Sequence, residues 1–161
     1  MIGVGLQWKP TTSLKDWSSE RLENIRKLII QTTGESYRID RLRLLPLDQH
    51  FGRWSLTDGD SELGILWAMR LSKSCARVLA FSVSEDLQGR GLGAEGWRHF
   101  ALAAKSLGIQ TVQLEVRQDN YAAIELYHRR GLRPKGCLSG FYRGYDGWLM
   151  LGPIHLDASL Q

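Results

Sequence analysis

Three glycines, Gly89, Gly91 and Gly93, fall within five residues of the stretch SEDLQGRGLGAEGW, residues 84–97. The apolar-rich run ARVLAFSVS precedes them, and Trp97, Phe100, Ala101, Ala104 and Leu107 follow at helical spacing. Glycine inside a regular element costs about 0.5–1 kcal/mol relative to alanine, so three together mark a turn. A strand-to-helix turn of this kind points backbone N–H groups outwards, and the first N–H groups of the helix carry partial positive charge. That combination cradles phosphate.

The pattern restricts which phosphate. A P-loop is excluded, because no Gly-Lys-Ser/Thr follows. GRGLGA satisfies G-x-G-x-x-A, and Glu115 lies 21 residues beyond Ala94, so a dinucleotide fingerprint is an alternative on spacing alone. Its context argues against it: the 67 residues after Ala94 hold one helix-flanked strand and a terminal hairpin, too little for a doubly wound sheet.

The rest of the chain reads as one domain over residues 1–161. Residues 3–8 read as a strand and 13–33 as a helix with Leu22, Ile25, Leu28 and Ile29 on one face and Gly34 as its stop. Residues 38–48 suggest a short second helix ended by Pro46. GRWSLTD, LGILWAMRLS and ARVLAFSVS read as strands, with a hairpin turn at 57–62. After the glycine turn and its helix, TVQLEVR (111–117) alternates, with Val112, Leu114 and Val116 on one face and Gln113, Glu115 and Arg117 on the other. Asp119 and Asn120 are good caps for the helix YAAIELYHRR, and strands near 136–143 and 146–152 close the chain.

Charged residues at 24% and hydrophobic ones at 43% fit an ordinary globular protein, and no apolar run is long enough to cross a membrane. The start lacks the features of a signal peptide, so a cytoplasmic protein is expected. The net charge of +4 is mild, with one basic cluster, HRRGLRPK, which reads as a solvated face, and no direct nucleic-acid binding is expected. Cys75 and Cys137 are read as reduced, mostly buried thiols, His99 and His128 as surface helix residues, and no metal site is expected from four scattered histidines.

Gln88-Gly-Arg-Gly91-Leu-Gly93 matches Gln/Arg-x-x-Gly-x-Gly/Ala and resembles the pyrophosphate-binding motif of the GNAT superfamily of N-acetyltransferases. LEVRQDNYAAIELYHRRGLRP (114–134) is similar to the corresponding segment of RimI-like N-terminal acetyltransferases, at spacings that fit without a gap. The resemblance covers roughly residues 78–150. It implies an α/β GNAT fold: a central mixed, mostly antiparallel sheet flanked by helices, with a splayed strand pair forming the acetyl-CoA cleft. It also implies an enzyme that uses acetyl-CoA to acetylate a primary amine by direct attack.

Carried over residue by residue, the main chain of Phe81, Ser82 and Val83 would pair with the pantetheine arm. Gln88, Gly89, Arg90, Gly91, Leu92, Gly93 and Ala94 would wrap the pyrophosphate, and Asn120 would contact the cofactor as well as capping its helix. Glu115 would be the base, directly or through water, with pairing to Arg117 or a lysine as its structural alternative. Tyr127 would be the acid, with core packing as its alternative, and Tyr142 would bind a peptide backbone. The expected acceptor is a protein or peptide N-terminal α-amine. A small-molecule amine or a lysine side chain is the alternative, ahead of a non-catalytic acyl-CoA-binding module. Residues 1–50, which in this fold help shape the acceptor groove, resemble nothing recognised.

Overall fold

Seven strands form one sheet in the computed structural model, which describes residues 5–142 and 144–158. The strands are β1 (Gln7–Pro10), β2 (Arg53–Thr57), β3 (Glu62–Arg70), β4 (Cys75–Val83), β5 (Thr111–Arg117), β6 (Arg133–Tyr142) and β7 (Tyr145–Pro153), in the order β1-β2-β3-β4-β5-β7-β6. Among the described residues the only parallel pairing joins β4 to β5; every other pairing is antiparallel. The mixed, mostly antiparallel sheet expected from the sequence is therefore present.

Two hydrophobic cores sandwich this sheet. On one face, α1 (Ser19–Thr33) and α2 (Ile39–Arg43) bury Leu22, Ile25, Ile29 and Leu42 against Ile65, Trp67 and Ala80. On the other, α3 (Leu92–Ser106) and α4 (Tyr121–Arg129) bury Trp97, Phe100, Ala101, Ala104 and Tyr127 against Leu66, Val78, Val112 and Leu114. Alternation along β3, with Ile65 and Trp67 on one side and Leu66 and Ala68 on the other, explains how one strand serves both cores. In β4 the alternation is interrupted. Trp67 pairs with Ala80 and Ala68 with Val78, so Leu79 is an extra residue, a β-bulge. Val78 thus faces the α3 side, Ala80 the α1 side and Phe81 the α3 side again.

The bulge coincides with a parting of strands. β4 pairs with β5 only from Cys75↔Thr111 to Val78↔Leu114. Beyond that point Leu79–Val83 and Glu115–Arg117 have no pairing with each other, and the sheet opens into a wedge.

Several boundaries differ from the sequence reading. The first strand is Gln7–Pro10 rather than 3–8, whose first two residues lie outside the described part. The helix expected over 13–33 breaks into a 3-10 turn, Leu14–Asp16, and α1. Trp17 is extended at the break because its ring is buried edge-on against Trp67, and the Ser18 hydroxyl then caps α1 by accepting from the Arg21 N–H at 3.1 Å. The second helix ends at Arg43, ahead of Leu45, the residue that Pro46 restricts. Leu107 is 41% exposed because it falls past the last turn of α3. Both final strands are longer than expected, and Arg143, the end of the expected 136–143 strand, lies outside the described residues. Cys137 is exposed and Cys75 half-buried, whereas burial was expected for both. His128 is exposed as expected, but His99 is half-buried, its ring 5.4 Å from that of Trp54. No helix of the described residues is long and apolar enough to cross a membrane.

Candidate active site

The wedge between β4 and β5 continues into a cleft of about 830 Å³. Its floor is β4, one wall is the turn into α3, and the other is α4. The turn is built as the glycine spacing suggested. Gly89 and Gly91 have φ of +81° and +78°, where side-chain-bearing residues are strained, and the space a Cβ would occupy is open at both. Gly91 is the N-cap of α3 and offers no side chain to the helix, so the N–H groups of Leu92, Gly93 and Ala94 are left for another partner. All three residues line the cleft, so a ligand there can reach them.

Other residues hold this wall in place. The Gln88 amide donates to the Val83 carbonyl at 2.9 Å, tying the turn to the end of β4. Trp8 on β1 donates from Nε1 to the Leu92 carbonyl at 2.8 Å and lays its ring over Gly96, where any Cβ would collide with it. Of the residues the sequence singled out for the cofactor, Phe81, Ser82, Val83, Gln88, Gly89, Gly91, Leu92, Gly93, Ala94 and Asn120 all line the cleft. Arg90 is exposed and does not. Asn120 caps α4, its Oδ1 accepting from the Ala123 N–H at 3.3 Å, and the same residue lines the cleft.

At the narrow end of the wedge lies a smaller cavity of about 40 Å³. Glu115, Tyr127, Tyr142 and Asn120 all line it, so the structure brings the expected site residues together. Glu115 stands on the α1 face of β5, opposite Val116, and is held by Arg77 of β4 across the parting strands, with Nη2 to Oε1 at 2.8 Å and Nε to Oε2 at 3.3 Å. Its ion-pair partner is therefore not Arg117. Arg117 instead pairs with Asp119 at 2.7 Å, stacks 3.8 Å over the Tyr145 ring and fills the space beside Gly34. It spans the gap between the end of α1 and the β6–β7 hairpin.

Glu35, in the loop after α1, also lines the small cavity, and sequence reasoning missed it. It follows the helix-stopping Gly34, in a segment without a recognisable motif, and only tertiary folding brings it near Glu115. Burial raises its pKa above the usual glutamate value. Donation from the Tyr37 hydroxyl at 3.3 Å opposes that rise, and the Glu115 charge reinforces it. Burial also pushes the phenols of Tyr127 and Tyr142 well above the usual tyrosine value, with the Glu35 charge adding to both, so each stays protonated and able to donate near neutral pH. The Tyr127 ring packs against Trp97 and Phe81 at 5.6 and 6.4 Å, so core packing and a cavity-facing hydroxyl coexist in one residue.

A wedge-shaped cleft with an uncapped helix N-terminus at one end and acids beside phenols at the other suits a phosphate-bearing acyl donor and an amine. Matches to known proteins agree. A model of the Acetyltransferase (GNAT) family matches residues 17–132, and the chain belongs to that family. Mycothiol acetyltransferase of Actinosynnema mirum is 36% identical over 72 residues, which are 45% of this chain and 24% of that protein. The chain thus matches about a quarter of the length of that relative. The ribosomal-protein-S18-alanine N-acetyltransferase of Escherichia coli superposes with a TM-score of 0.75 at 18% identity, covering 98% of this chain and 99% of that one. Arabidopsis thaliana NAA60, solved with acetyl-CoA, superposes with a TM-score of 0.69 at 18% identity, covering 93% and 100%.

Proposed function

We propose that this chain is a RimI-like acetyltransferase that uses acetyl-CoA as cosubstrate and transfers the acetyl group to the N-terminal α-amine of a protein or peptide. The observation that carries the reading is the small cavity where Glu35, Glu115, Tyr127 and Tyr142 meet at the parting of β4 and β5. Glu115 in that cavity is paired with Arg77 and the lining Arg117 with Asp119, whereas Glu35 forms no ion pair among the described residues and is placed to take a proton from an ammonium group.

The residues then divide the work. The Leu92–Ala94 N–H groups and the glycine turn hold the donor's pyrophosphate, and the unpaired edge of Phe81, Ser82 and Val83 lies along the pantetheine. Asn120 adds a side-chain contact. Glu35 and Glu115 take the proton from the amine, directly or through a water, which frees its lone pair for the thioester carbonyl. A C–N bond forms, the C–S bond breaks, and the Tyr127 hydroxyl donates to the departing thiolate. A main-chain N–H of β4 facing the wedge polarises the carbonyl oxygen. Tyr142, on the hairpin opposite the loop after α1, hydrogen-bonds the acceptor backbone.

Proton cost favours the α-amine. Its pKa is about 7.7–8.0 against about 10.4 for lysine, so at pH 7 freeing the lone pair costs about 1–1.4 kcal/mol against about 4.6. Carboxylates in the small cavity manage the smaller task. A small-molecule amine is the second reading, supported by the likeness to mycothiol acetyltransferase. The test is acetyl-CoA with matched peptides read by mass spectrometry. Peptides with a free α-amine are expected to react faster than the same peptides blocked there and carrying only lysine. Equal or faster reaction of the blocked peptides overturns the reading, and turnover of small amines alone establishes the second.

A further inference from the structure

The cleft has one cationic group that neither the glycine turn nor the acceptor cavity accounts for. Arg130 caps the C-terminal end of α4 and is only 5% exposed, yet it lines the same cleft as Gly89, Gly91 and the first turn of α3. Its Nη1 donates to the Leu126 carbonyl at 3.3 Å, and its Nε has no hydrogen-bond partner among the described residues. Asp157, the acid whose charge reaches it, is paired with Arg98 instead.

A buried guanidinium stays charged, and a buried charge is costly unless an anion meets it. The Nε–Nη2 edge is the side of the fork that grips oxyanions in pairs, and here that edge has no partner among the described residues. Position matters as much as charge. Leu126, one turn earlier on α4, sits where a Cβ on Gly93 would meet its Cδ1 at 3.4 Å. Arg130 therefore lines the cleft about one turn of α4 beyond the residue that meets the start of α3, whose free N–H groups line the same cleft.

We propose that Arg130 is a phosphate-binding side chain of this cleft, closing on a phosphoryl oxygen of acetyl-CoA from the α4 side, across from the N–H groups of α3. The proposal rests on the assignment of acetyl-CoA to the cleft. The phosphate is either the pyrophosphate or the 3′-phosphate of the adenosine, and the two are separable by ligand.

Isothermal titration of CoA, 3′-dephospho-CoA and pantetheine into the wild type, R130M and R130K tests it. R130M is expected to bind CoA at least about tenfold more weakly, R130K to lose less, and all three proteins to bind pantetheine alike. A loss that persists with 3′-dephospho-CoA assigns the pyrophosphate, and one that disappears assigns the 3′-phosphate. Wild-type affinity of R130M for CoA overturns the proposal, as does an equal loss with pantetheine, which would mean that the cleft had merely deformed. Removing an unpaired buried charge should leave R130M folded, with an unliganded Tm at or above that of the wild type. If it does not fold, R130Q carries the same comparison. Failure of the wild type itself to bind CoA would instead overturn the cosubstrate assignment.

Discussion

At Glu35 a carboxyl is held above its ordinary pKa, first by burial and then by the charge of Glu115. An acid raised on folding gives stability that is fully present below its unfolded pKa, near 4.5, and is lost as pH rises through the folded value. E35Q, which fixes the neutral form, is therefore expected to melt above the wild type at pH 8 and to converge with it towards pH 4, measured by thermal denaturation. Acetylation by the same variant is expected to fall by about 10²–10⁴-fold, the range of lost general-base help. Glu115 and Tyr127 were legible in the sequence because LEVR and the helix after it resemble a known segment. Arg77 and Glu35 were not, since nothing local marks them. The first meets Glu115 only through the parallel register of β4 and β5, the second only through the docking of α1.

The elements that build the glycine-turn wall of the cleft were the most readable, because their signals are local. Gly89 and Gly91 take the left-handed conformation that their spacing implied, and α3 starts where the apolar period starts. G91V should strain that turn and push a branched side chain into the cleft, while the buried face of α3 remains intact. At a hundredfold excess over Kd, a ligand stabilises its protein by about 2.7 kcal/mol, a rise of about 2–4 °C in Tm per kcal/mol for a domain of this size. The wild type is expected to show that rise with CoA and G91V to show almost none, with unliganded far-UV circular dichroism unchanged. What the elements concealed was their partnering. No local signal puts β7 between β5 and β6, and the bulge at Leu79 lies inside an unbroken run of strand-forming residues. The break before α1 was equally hidden, because it depends on where the Trp17 ring finds room.

Across the whole molecule, the order of strands was unreadable while the layering was not, since period alone divides residues between two cores but does not choose neighbours. The pairing that matters most is the shortest one. Four residue pairs between β4 and β5 splice β1–β4 to β5–β7, and past Val78 the edges stand apart. A ligand whose amides lie along Leu79–Val83 would therefore act as a stand-in strand, supplying the ladder that the fold omits. Amide hydrogen exchange read by mass spectrometry should then slow on adding CoA in the peptides spanning 79–83 and 115–117, and much less in β2 and β3, which are already paired. The donor would, in this sense, be a structural member of its own enzyme, carrying past Val78 the ladder that four residue pairs begin.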